Sequence, residues 1–179
     1  MSREFEILES SHLKAGSAFM RPRQALPERV KISDPAVTVM SDLSKVSVVV
    51  TRPNISMENA NNKMIRYGVR MLLVLDANDH VAGLLTATDI LGEKPMRHLQ
   101  NMGGTHADIM VRDLMTPQSD LEVLKMNDVQ NAEVGHIVAT LKKSGRQHGL
   151  VVAEATDGTQ SVCGIFSTTQ IVRQLGFQA

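Results

Sequence analysis

Aromatic residues are the scarcest part of this chain: one tyrosine, four phenylalanines and no tryptophan among 179 residues. That removes the stacked-ring platforms on which single-stranded nucleic-acid binders depend. A net charge of either sign is missing as well, because 19 Lys and Arg balance 19 Asp and Glu. No overall basic field is available to gather phosphate backbones or an anionic membrane, so nucleic acid is a weak candidate partner. Long apolar runs are absent too. "VSVVV" and "MLLVL" are far too short to span a bilayer, and "MSREFEILES" places acids where a secretory leader needs an apolar stretch. The expectation is a cytoplasmic protein that does not enter a membrane. A single cysteine, Cys163, rules out a disulfide framework within the chain and reads as a buried strand residue, with no His or Asp neighbour to activate a thiolate.

What is present is repetition. The phrase "GLLTATDILG" from Gly83 returns as "GIFSTTQIVRQLG" from Gly164, an offset of 81 that pairs Thr86 with Ser167 and Asp89 with Gln170. Upstream the offset is 77, pairing Met64 with Leu141, Gly68 with Gly145 and Val74 with Val151, and earlier still it is 75, setting "VMSDLSKVSV" against "LMTPQSDLEV". Growing offsets mean insertions in the second copy, the last of them in the turn "AEATDGTQS".

Each copy reads as strand, helix, strand, strand, helix. The second-copy helix carries Val134, Ile137, Val138 and Leu141 on one face, and the first carries Met57, Ala60, Met64 and Ile65. Ser56 and Asn131 are the expected N-caps, Gly68 and Gly145 the expected C-caps. The strands "MLLVLD" with "HVAGLLT", and "GLVVAE" with "SVCGIFS", are apolar nearly throughout, which predicts burial on both faces. A copy of about 60 residues is marginal alone, so two copies should pack sheet to sheet around a shared core. The expected class is α/β (α+β), with two pseudo-symmetric β-α-β-β-α repeats, an N-terminal extension over 1–34, and repeats over 35–104 and 105–179.

Taken together, the order of elements, the "MS" and "MTP" lead-ins, "YGVRMLLVLD" and "GLLTATD" resemble a pair of cystathionine-β-synthase (CBS) domains, the regulatory Bateman module, over about Pro35 to Leu175. The resemblance implies a stand-alone regulatory protein, not an enzyme and without a catalytic cofactor. It implies a cleft between repeats for an adenosine-containing ligand, AMP, ADP, ATP or S-adenosylmethionine, and a homodimer that passes its change of shape to a regulated protein. A ligand-free structural or protein-interaction module is the alternative.

On that resemblance, Asp89 takes the ribose diol, because one carboxylate accepts from two vicinal hydroxyls. Thr86 and Thr88 stand at a helix start that favours phosphate, Arg70 is the implied basic phosphate contact, and Leu84 walls the adenine. The opposite repeat would add Arg146 with Ser119 and Leu124. A second, weaker site would comprise Ser167, Thr169, Gln170 and Gln147. The same phrase also fits a capping box, Thr86 with Asp89 and Ser167 with Gln170, in which both copies simply start a helix.

Other features are quieter. His98, His106 and Asp108 around "QNMGGTHADI" match no metal-ligand spacing and read as linker polarity. His148 stands where strand and cleft should meet. Eleven methionines read as adaptable core filling. "RPRQALPERVKISDP", with three prolines, reads as an extended arm lying on a surface or on a partner chain.

Overall fold

The computed structural model describes residues 24–176 together with Ser10, His12, Lys14, Ala15, Ser17 and Ala18. Arg21 to Arg23, the first residues of the proline-rich arm, lie outside the described residues.

Among the described residues, eight strands and seven α-helices follow the repeat. The first half runs β1 (Ser41–Asp42), β2 (Val50–Thr51), α1 (Met57–Tyr67), β3 (Met71–Leu75), β4 (Val81–Thr86), α2 (Ala87–Leu91) and α3 (Lys94–Met102). The second runs α4 (Val111–Leu114), β5 (Thr116–Pro117), β6 (Val123–Lys125), α5 (Met126–Gln130), α6 (Val134–Ser144), β7 (His148–Glu154), β8 (Gln160–Ser167) and α7 (Thr168–Leu175). The sequence offsets hold in space. Helices α1 and α6 begin 77 residues apart, and both end on a left-handed glycine, Gly68 at φ 63° and Gly145 at φ 65°. A register shift follows Val74 in β3 and recurs after Val151 in β7, at the same spacing.

Ser56 caps α1 as the sequence predicts, its hydroxyl oxygen accepting from the Asn59 N–H at 3.2 Å. Asn131 does not cap α6. Residues 126–130 form a separate short helix, so Asn131 closes α5, donating its amide to the Asn127 carbonyl at 2.9 Å, and α6 starts after Glu133. Of the two copies of the repeated phrase, one forms its capping box. Thr86 and Asp89 make it in full, whereas the Gln170 amide turns away from Ser167 and donates to the Val39 carbonyl at 3.3 Å. Helix α3 is an element that sequence reasoning missed; Pro95 in its first turn was the available signal, since proline is favoured there.

The sheets are ordered β1-β8-β7-β6 and β2-β3-β4-β5. The lead-in strand of each half therefore joins the sheet of the other. β1 pairs antiparallel with β8, and β5 pairs antiparallel with β4. Buried side chains follow the same exchange: Ala36, Val39 and Met40 pack with Val134, Ile137 and Phe166, while Ile109, Val111 and Leu114 pack with Met64, Leu72 and Leu85. Between the sheets, Met71, Leu73 and Leu84 meet Leu150 and Ile165. Strands β3 and β7 are thus covered by helices on one face and by the opposite sheet on the other, which accounts for their apolar sequence.

The proline-rich arm lies on the second half of its own chain. Val30 is buried there, its N–H donating to the Gln174 carbonyl at 3.0 Å, and the buried Gln174 amide donates to the Pro27 carbonyl at 2.7 Å. Gln24 completes the β1 edge, donating to the Met40 carbonyl and accepting from the Asp42 N–H. Cys163 is half-buried in β8, its thiol 3.6 Å from the Val151 carbonyl, and burial pushes its pKa up, as a packing residue requires.

Both glycines that open the repeated phrase seat a crossing lead-in. A Cβ on Gly83 would lie 2.5 Å from the Thr116 carbonyl oxygen, and one on Gly164 would lie 2.4 Å from the Met40 sulfur. Gly83→Ala should therefore cost more stability than Gly164→Ala, about 2–3 kcal/mol against about 1 kcal/mol, because a backbone carbonyl cannot swing aside as a thioether can. Denaturant unfolding of the two variants gives the comparison; equal losses would mean that the crossing strand yields as easily as the methionine.

Candidate functional site

Of the clefts between the halves, two are built by a crossed rule. The last helix of one half faces the residues that lead into the central strand of the other. The first cleft, about 300 Å³, is lined by Leu84, Thr86, Thr88 and Asp89 from the first half and by Thr116, Gly145, Arg146, Gln147 and His148 from the second. The second, about 350 Å³, sets Gly68 to Met71 against Ser167, Thr169, Gln170 and Arg173.

This rule redistributes the expected residues. Asp89, Thr86, Thr88, Leu84 and Arg146 come together in the first cleft. Arg70 does not join them: it lines the second cleft, and Gln147 lines the first. Their backbones explain the exchange. The Arg70 carbonyl accepts from the Ala87 N–H at 2.8 Å and the Gln147 carbonyl from the Thr168 N–H at 2.8 Å, so each residue leads into a central strand at an equivalent point, with its side chain serving the cleft that belongs to the other half's helix. Ser119 is exposed on a turn of 3-10 helix, and Leu124 packs into the second-half core; neither lines the first cleft. Ser167, Thr169 and Gln170 do line the second.

Asp89 is the centre of the first cleft. Its side chain is only 12% exposed, and its Oδ1 lies 2.6 Å from the Lys94 ammonium. Oδ2 accepts from the Thr86 N–H and hydroxyl, each at 2.8 Å. Lys94, which no sequence pattern singled out, also donates to the Leu114 carbonyl at 3.0 Å, so it ties the cleft to the crossing lead-in. The helix start offers less to a phosphate than expected, because the Ala87 and Asp89 N–H groups are already bonded to the Arg70 carbonyl and the Thr86 hydroxyl. Arg146 reaches the Asp120 carbonyl at 2.8 Å and stands 4.0 Å from Glu122, and the Thr88 hydroxyl approaches the Gln147 side-chain Oε1 at 3.5 Å across the cleft.

His148, the first residue of β7, lines both clefts. Its Nδ1 is buried with no hydrogen-bond partner among the described residues. Burial, and after it the charge of Arg70, holds its pKa below the usual 6.5, while the charge of Asp89 offsets part of that effect. His98 stands 3.9 Å from Asp113, and the described residues contain no group of His, Cys, Asp and Glu able to hold a metal ion. No helix among them is long and apolar enough to cross a membrane.

Residues 36–95 match the family described as the CBS domain. Three solved structures share the fold over most of their length. An uncharacterized conserved protein from Pyrococcus horikoshii is 21% identical, with 80% of this chain and 92% of that one covered and a TM-score of 0.57. CBSX2 of Arabidopsis thaliana, solved in complex with AMP, is 23% identical, with 78% and 94% covered and a TM-score of 0.54. A CBS domain pair solved in complex with 5′-methylthioadenosine and S-adenosyl-L-methionine is 18% identical, with 82% and 98% covered and a TM-score of 0.54. An uncharacterized 17.7 kDa protein of Acidianus ambivalens is 24% identical over 114 residues, 64% of this chain and 68% of its own. The first repeat matches the CBS domain, and the whole chain has the fold of a CBS pair.

His148 generates a pH prediction. Its folded pKa is depressed, so the unfolded chain binds the proton first as pH falls through 6.5 and stability drops with it. The melting temperature should fall between about pH 7.5 and pH 5.5, a window in which histidine is the side chain that ordinarily titrates, and His148→Gln should flatten that fall. The same slope in both proteins would assign it to another group.

Proposed function

We propose that the protein is a regulatory module that binds one adenosine-containing ligand, AMP, ADP, ATP or S-adenosylmethionine, in the first cleft. The observation that carries this reading is Asp89, a nearly buried carboxylate that opens into a cleft closed from the other half by Arg146 and His148. A carboxylate offers about four lone-pair sites. Thr86 and Lys94 occupy three of them, so a ribose hydroxyl takes the remaining site on Oδ1 and a second displaces Lys94. Leu84 supplies an apolar wall for the base, and Thr86 and Thr88 supply hydroxyls. Two fold neighbours were solved with adenosine-containing ligands, which supports the ligand class. The comparisons point to no catalytic family.

The alternative, an interaction module with no small-molecule ligand, draws on the same carboxylate being used already by the capping box and by Lys94. Calorimetric titration with AMP separates the two. Asp89→Asn should weaken binding by about 1 to 3 kcal/mol, because an amide loses the charge that strengthens bonds to the diol. Lys94→Gln should strengthen it, since Oδ1 is then free. Unchanged affinity in both variants would leave Asp89 a helix cap.

Signalling follows through a homodimer. Exposed Ile65, Tyr67, Leu91, Met96 and Met102 on the first-half helices supply apolar surface for a second copy. Light scattering at micromolar concentration should give twice the chain mass; a monomer mass with and without AMP would rule out any relay through dimer shape. The regulated protein is then a cytoplasmic partner that reads that shape.

A further inference from the structure

The second cleft is not a weakened copy of the first, because its chemistry has the opposite sign. Arg70 and Arg173 both line it, and among the described residues no Asp or Glu does. Neither guanidinium makes an ion pair or a side-chain hydrogen bond among the described residues, although six other Lys or Arg ion pairs are formed there, several by comparable exposed side chains. Hydroxyls of Ser47, Ser167 and Thr169 complete the lining. The amide of Gln170, which stands where Asp89 stands in the first cleft, is engaged by the Val39 carbonyl and by Gln174, both at 3.3 Å, so it is drawn into holding the lead-in and arm.

Two unpaired cations in one cleft repel each other, and a cleft lined by one sign concentrates counter-ions. A guanidinium fork matches the oxygens of a phosphate in paired hydrogen bonds, and hydroxyls add neutral donors. At the junction with the first cleft stands His148, whose buried Nδ1 lacks a partner. A nucleoside needs an acceptor for its diol, and here that acceptor has been replaced and tied down. A phosphoryl group needs what remains.

We propose that the second cleft is a phosphate site, in which Arg70 and Arg173 with the hydroxyls of Ser47, Ser167 and Thr169 take a polyphosphate anion rather than a second nucleoside. Two sources carry that chemistry: the phosphate tail of a nucleotide whose ribose lies in the first cleft, reaching past His148, or a separate polyphosphate ion. The site stands without the nucleoside reading, because none of its contacts is Asp89.

Calorimetry on the full chain at fixed ionic strength tests it, with inorganic tripolyphosphate, adenosine, AMP and ATP as probes. Tripolyphosphate should bind wild type at one equivalent. The double variant R70Q and R173Q, at exposed positions where folding is checked by an unchanged melting temperature, should weaken that binding at least tenfold and leave adenosine unaffected. The control pair R66Q and R112Q, exposed arginines away from the cleft, should leave tripolyphosphate binding intact. ATP binding at least tenfold tighter than AMP, with ATP and tripolyphosphate competing, identifies the nucleotide tail; simultaneous binding of both identifies a separate ion. Absence of tripolyphosphate binding, equal losses in the control pair, or a second equivalent of adenosine as tight as the first would overturn the proposal. Asp89→Asn separates the two readings: it should weaken adenosine binding at least fivefold and spare tripolyphosphate.

Discussion

The fold depends on an exchange of lead-in segments between its halves. Val39 and Met40 close the core of the second half, and Leu114 and Met115 do the same for the first, each pair 75 residues from its counterpart. The exchange needs a place where one backbone passes close over another, and Gly83 and Gly164 provide it by having no Cβ. Burying a methionine or leucine at each crossing stabilises by about 1.5–3 kcal/mol. Neither half can keep a complete sheet and core without the other, so the clefts between them have walls fixed from both sides.

That exchange also decides which residues share a cleft. Crossing lead-ins hold the halves so that α2 faces the residues before β7, and α7 faces the residues before β3. Lys94 adds a direct link in the first half, since one ammonium holds both the Asp89 carboxylate and the Leu114 carbonyl next to the crossing Met115. Whatever competes for Asp89 therefore acts on the crossing strand as well. The second half has no such lysine; there Gln170 bonds the Val39 carbonyl, an uncharged version of the same tie.

The repeat, the central strands and the helix-capping glycines were legible in the sequence because each rests on local chemistry: an apolar run, a 3.6-residue period, a left-handed C-cap. Five residues of the first cleft were legible for the same reason, since Leu84, Thr86, Thr88 and Asp89 lie in one phrase and Arg146 follows a capping glycine. Arg70 and Gln147 were placed in each other's clefts because offsets give a position within a copy and say nothing of the side to which its side chain turns. Strands of two residues, β1 and β5, have no periodicity to read, and their partners are set by packing. The path of the arm had one faint signal, Gly135 inside α6, where a Cβ would stand 2.9 Å from Ile32.

Duplication supplies two equivalent clefts, and the difference between them lies in a few side chains on an unchanged backbone. Asp89 against Gln170 removes a carboxylate from the second cleft, and Arg70 against Gln147 adds a cation to it, so both changes move its charge in the same direction. In the first cleft the carboxylate has Lys94 beside it, and Arg146 is tied to Asp120 near Glu122, which leaves charges of both signs in local balance. His148 touches both environments: burial first and then the Arg70 charge of one cleft hold its pKa down, the Asp89 charge of the other offsets part of that, and so it stands where their fields meet. Charge that cancels over the whole chain is thus separated across the pseudo-twofold relation, and the two halves of one duplicated phrase present an acceptor on one side and donors on the other.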